Sequence, residues 1–87
     1  MTKSYDVKVT VISQEGECGA GHKAGDSWVI GSMSPEGMCL SALAALFPST
    51  RVLRFGGEFP WSQDKDTATI ACPDAENPVV FELRRLH

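Results

Sequence analysis

Three cysteines and a histidine, Cys18, His22, Cys39 and Cys72, are the residues of this chain best suited to chemistry. Three sulfurs and one imidazole make the donor set of a closed tetrahedral zinc site, and iron is compatible with the same thiolate-rich set. Cys18 and His22 stand four positions apart in "ECGAGHKAGD". A helix there is disfavoured by Gly19 and Gly21, each costing about 1 kcal/mol relative to alanine. The pair is therefore expected on a loop, whose glycines let the backbone turn around an ion and offer N–H groups to a coordinated sulfur. Cys39 and Cys72 lie far from that loop in sequence, unlike the C-x2–4-C pairs of ordinary structural zinc sites, so only the fold can assemble the four.

Two other chemistries compete for these residues. Cysteine is among the most buried residue types, and Cys39 and Cys72 fall on apolar faces where a thiol simply fills core. Alternatively, Cys18 or Cys39 is a reactive nucleophile resolved by another cysteine. The missing C-x-x-C pattern counts against a thioredoxin-like mechanism.

A second constellation is "RFGGEFPW", residues 54 to 61. Consecutive glycines can expose N–H groups as an anion nest, with Arg54 pairing a carboxylate or phosphate. Neither the phosphate-loop pattern nor a dinucleotide fingerprint is present, so no nucleotide cofactor is expected. Glu58 is a candidate to orient the His22 ring or to accept a proton. Phe59 and Trp61 are expected to close one end of a small core. A competing reading has Trp61 and Trp28 walling a pocket beside the thiols. Asp26, after Gly25, suits a turn in which its side chain satisfies backbone donors, with a base at an open metal position as the functional alternative.

The elements that must position these groups follow from periodicity. "YDVKVTVIS", residues 5 to 13, alternates Tyr5, Val7, Val9 and Val11 with polar residues and predicts a strand. "DSWVI" predicts a short second strand after the glycine-rich loop. Ser34-Pro35-Glu36 suits a helix start, so the expected helix runs from about Pro35 to Phe47. Met38, Cys39, Ala42, Leu43, Ala45 and Leu46 form its apolar side, Cys39 lies in its first turn, and Pro48 ends it. "RVLRFGG" fits neither period and is read as a short strand or a helical turn. "TATIAC" and "PVVFELRRL" predict two more strands, with Ala68, Ile70 and Cys72 on one face of the first. Val79, Phe81 and Leu83 point inward on the second, and Glu82 and Arg84 point outward. The sum is an α+β domain over residues 1–87, a largely antiparallel sheet of four or five strands, curled as in a barrel or open, with one helix packed on it.

Composition narrows the partners. The 87 residues carry a formal charge of −3, and no run of bases exceeds Arg84-Arg85, so nucleic acid is not an expected partner. No stretch approaches the roughly 18 apolar residues of a membrane span, and the beginning of the chain has no signal-like apolar run, which predicts a cytoplasmic protein without a membrane partner. An odd number of cysteines agrees with reduced thiols.

The motifs C-x-x-G-H-K-x-G-D, P-E-G-x-C, L-R-x-G-G-E-F-P-W and C-P-D-x-E-N-P-V-V-F-E-L-R-R span nearly the whole chain. With them the chain resembles a family of small prokaryotic proteins of about its own length that is catalogued as uncharacterised. The resemblance implies weight on Cys18, His22, Cys39 and Cys72 and brings no activity with it. The expectation is a small metal-binding protein with a Cys3His site, accessory or structural and with a protein partner. Asp26, Arg54, Glu58 and Trp61 are expected around that site. A thiol-based redox protein and a metal-free interaction module presenting Trp28 and Trp61 are the alternatives.

Overall fold

The structure is a computed structural model, and it describes residues 4–14, 23–72 and 79–87. Four strands and one helix follow in the order β1 (Val7–Gln14), β2 (Ser27–Ile30), α1 (Leu40–Arg54), β3 (Thr67–Ala71) and β4 (Val79–Arg85). The strands form one antiparallel sheet in the order β2-β1-β4-β3. β2 and β3 are its two edges, so the sheet is open and not a barrel. α1 links these edges and packs over one face. The result is the expected α+β arrangement with four strands.

Alternation sets the inner face. Val7, Val9 and Val11 of β1 are buried opposite Arg85, Leu83 and Phe81 of β4, and Ala68 and Ile70 of β3 continue the same rows. Ile30 and Trp28 complete it from β2. The register shifts between Val11 and Ser13, where Ile12 is the extra residue of a bulge and is 49% exposed. A bulge of this kind turns one apolar side chain off the core face while the ladder continues to Gln14 and Val79.

The helix lies later in the chain than its sequence signals suggest. Pro35 begins a turn, not a helix, and Gly37 at φ +84° takes a left-handed backbone that a helix cannot contain. Cys39 is the N-cap, with its Sγ 3.4 Å from the Ala42 amide that donates to it. Pro48 lies inside the helix instead of ending it. Proline removes one i→i−4 bond and crowds the carbonyl of residue i−4. Here both Pro48 and Ala44 are exposed, so the displaced carbonyl is on the solvent side, where water can serve it. Burial of Ala42, Leu46, Thr50 and Leu53 carries the helix past that point.

Gly56 and Gly57 then stop it. The Gly56 amide donates to the Leu53 carbonyl and the Gly57 amide to the Val52 carbonyl, at 3.2 and 2.8 Å. These two bonds, with Gly56 at φ +86°, are a Schellman ending. A Cβ on Gly57 would come within 2.7 Å of a Val52 methyl, so the second glycine answers to space and the first to backbone angle. The ring-bearing stretch "RFGG" is therefore helix and helix stop, and its N–H groups are spent on the helix carbonyls rather than on an anion nest.

Arg85 continues the inward row of β4 and is 6% exposed. Its guanidinium donates to the carbonyls of Leu53 and Gly57 at 3.0 and 2.9 Å, to that of Lys65 at 3.0 Å and to Asp66 at 2.9 Å. One side chain thus ties the end of α1 and the approach to β3 onto the central strand. Asp66 also accepts from His87 Nε2 at 3.0 Å. The His87 hydrogen bond first, and Arg85 second, hold the Asp66 carboxyl below the usual carboxylate range.

A carboxyl with a lowered pKa in the fold adds stability above its unfolded pKa of about 3.9 and loses it as pH falls through the folded value. We expect the unfolding midpoint to fall with pH below about 4, and Asp66→Asn to flatten part of that fall. Denaturant melts of both proteins across the acid range check this, and parallel curves would remove Asp66 from the account.

Candidate functional site

The two ends of the sheet carry different residues. At one end are Tyr5, Val7, Ile30, Thr67 and Arg85, and the C-terminus of α1 is pinned there by the Tyr5 amide donating to the Arg54 carbonyl at 2.8 Å. At the other end Cys72, Val79 and Gln14 fall in line across three strands: the Cys72 amide donates to the Val79 carbonyl, and Gln14 pairs with Val79.

A helix of 15 residues spans about 22 Å, close to the length of the sheet, so pinning its C-terminus at the Arg85 end carries its N-terminus toward the Val79 end. Packing agrees with this course. A Cβ on Gly37 would lie 3.8 Å from the Trp28 indole nitrogen, and the Trp28 ring faces Phe81 at 6.4 Å. Cys39 and Cys72 both pack half-buried against the core.

The segment 15–22, with Cys18 and His22, lies outside the described residues, and its flanks are Gln14 and Lys23. Gln14 is at the Val79 end, and the return into β2 is built beside it. The Val11 amide donates to the Asp26 carbonyl at 2.8 Å and the Gly25 amide to the Val11 carbonyl at 2.9 Å. Asp26 closes this turn, its carboxylate accepting from the Lys23 amide at 3.1 Å while Gly25 takes φ +97°. Asp26 thus acts as the turn-former its position suggested. Among the described residues no three of His, Cys, Asp and Glu gather into a metal-holding group.

The remaining expected residues sit elsewhere. Arg54 is the last residue of α1, at the Arg85 end, donating through Nη1 to the Tyr5 carbonyl at 3.2 Å and facing Asp6 at 3.5 Å. Glu58 is exposed in the connection after the helix, one residue beyond the Gly57 carbonyl held by Arg85. Phe59 packs against the core, whereas Trp61 is 76% exposed, its ring tilted against that of Phe59 with centroids 5.1 Å apart. Trp61 lies in a shallow depression along Thr67–Thr69 of β3, and Trp28 is on β2, so the two tryptophans stand on opposite edges and do not wall one pocket.

Three residues that the structure makes prominent have no role in the sequence reading: Thr50, Arg51 and Arg85, the last of which counts there only as one of a pair of bases. Thr50 and Arg51 are hidden by the early helix end assigned at Pro48. Arg85 had a signal, because the inward row Val79, Phe81, Leu83 has Arg85 as its next member.

Comparison of the chain with protein-family models, with curated proteins and with solved structures gave no match. No helix among the described residues is long and apolar enough to cross a membrane.

Proposed function

We propose that this chain binds one metal ion, zinc ahead of iron, through Cys18, His22, Cys39 and Cys72, and that it acts as an accessory or structural protein. One observation supports the reading. Cys72, just past β3, stands beside Val79 and so at the end of the sheet where β1 leads into the segment holding Cys18 and His22, and Cys39 caps the end of α1 that runs toward it.

The local chemistry at Cys39 is compatible. Its Sγ already accepts an N–H from Ala42, the kind of outer hydrogen bond that steadies a coordinating sulfur. The motif resemblance points the same way. Four engaged donors leave no coordination position for water or substrate, which is why a structural role comes before a catalytic one. Thiolate ligands need a reducing compartment, so a cytoplasmic location belongs to the proposal.

The test is metal content per chain by elemental mass spectrometry, on untagged protein purified without oxygen or chelator. We expect close to one zinc or iron, and loss of most of it in His22→Ala and in Cys72→Ser. A value near zero that does not rise when zinc is added to the reduced protein overturns the proposal. Alkylation with mass mapping then separates the other readings, because a reactive nucleophile modifies fast in the folded protein and a core thiol only on unfolding.

A further inference from the structure

At the Arg85 end a cleft of about 270 Å³ opens between the connection after β2 and the flank of α1. Ile30, Leu43 and Phe47 give it apolar walls, while Thr50, Arg51 and Arg54 contribute polar groups. Thr50 is 1% exposed, and its hydroxyl has no hydrogen-bond partner among the described residues. Buried hydroxyls are normally paired, because leaving one unmade is costly.

The two arginines are incompletely used. The Arg51 guanidinium rides on the rings of Phe47 and Phe55, at 5.6 and 5.0 Å from their centroids, with no carboxylate or carbonyl partner among the described residues. Arg54, 16% exposed, meets Asp6 at 3.5 Å, well beyond the roughly 2.7–2.9 Å of a tight charge-assisted bond. Gly31 keeps this corner open, since a Cβ there would approach Asp6 Oδ1 to 2.9 Å and Arg54 Nη1 to 3.6 Å.

We infer that this cleft binds a small organic carboxylate, its anionic head on Arg51, Arg54 and the Thr50 hydroxyl and its apolar body against Ile30, Leu43 and Phe47. The charge fits a monoanion: two guanidinium groups less the Asp6 carboxylate leave one net positive charge. The volume sits just below the roughly 300–1,000 Å³ of common ligand pockets, which favours a small body. The apolar walls disfavour a bare inorganic anion. The arginines of the site lie at the C-terminal end of α1, away from its Cys39 cap, so the titration reads carboxylate binding separately from metal content.

The test is a two-dimensional NMR titration of the isotope-labelled full chain with phenylacetate. Acetate and phenylacetamide serve as controls, and a short peptide ending in phenylalanine tests a chain terminus as the carboxylate source. We expect saturable shifts centred on Gly31–Ser34 and Thr50–Phe55, with Kd near about 1 mM for phenylacetate and binding at least about tenfold weaker for both controls. Thr50→Val and Arg51→Gln should each weaken phenylacetate about tenfold. Thr50→Val should melt no lower than the natural chain, which shows that the loss is not misfolding. Tighter binding by the peptide supports the carboxylate site and identifies a chain end as its source. Absence of saturable shifts, equal binding of phenylacetamide, or variants that bind unchanged would overturn the inference.

Discussion

Arg85→Ala is expected to lower the unfolding free energy by about 3–5 kcal/mol, read from urea melts at neutral pH. The side chain is 4% exposed and its guanidinium serves three backbone carbonyls besides Asp66. Truncation leaves the Leu53 carbonyl buried without that donor and empties a volume between β4 and the helix end. Arg85→Met separates the two contributions, because it keeps an apolar stem of similar length and removes every donor. If the hydrogen bonds dominate, Arg85→Met loses most of what Arg85→Ala loses. Arg85→Lys should not restore the natural value, since one ammonium cannot reproduce a planar fork that reaches four partners. An Arg85→Ala protein within about 1 kcal/mol of the natural chain, the size of an ordinary single hydrogen bond, would show that these contacts contribute little.

Phe81→Ala is expected to cost about as much, 3–5 kcal/mol for a buried aromatic, by the lost burial and the cavity left behind. Phe81 is fully buried on the central strand β4, between Val11 of β1 and Ile70 of β3, with Trp28 tilted against it. None of these neighbours is free to close the gap, because β1 and β3 are fixed to β4 on either side by their ladders. A fold of this length has about 4–13 kcal/mol in all, so the variant should be marginal at 37 °C. Trp28 fluorescence offers the reading, since its ring loses the Phe81 contact. A variant that unfolds at nearly the natural urea concentration would mean that the cavity collapses cheaply.

The sheet was legible because period-two alternation is a local signal. Val7, Val9 and Val11, then Phe81 and Leu83, alternate with polar neighbours, and each is buried as its pattern requires. The shorter run Ser27–Ile30 was legible as a strand but not in its facing, because Val29 between Trp28 and Ile30 is apolar as well and only the pairing with β1 turns it outward. The helix was misplaced because its local signals and its tertiary packing disagree. Ser34-Pro35-Glu36 resembles a start and Pro48 a stop, but the backbone at Gly37 cannot continue a helix, and burial of Thr50 and Leu53 outweighs the bond that Pro48 removes. The glycine pair drew attention for good reason, although a helix ending and an anion nest ask for the same residues and only the partners of their N–H groups tell them apart.

From its sequence alone this protein's strands, their inward faces and its donor inventory of three sulfurs and an imidazole could be named. Those properties depend on residue type and on neighbours two to four positions away, which a linear text preserves. Tertiary structure decided what shares a place in the fold: Arg85 with the helix terminus and Asp66 at one end of the sheet, and Thr50 with Arg51 and Arg54 beside the cleft. It did so through ladder registers and a helix pinned at Tyr5, contacts between residues up to 78 positions apart that no local period encodes.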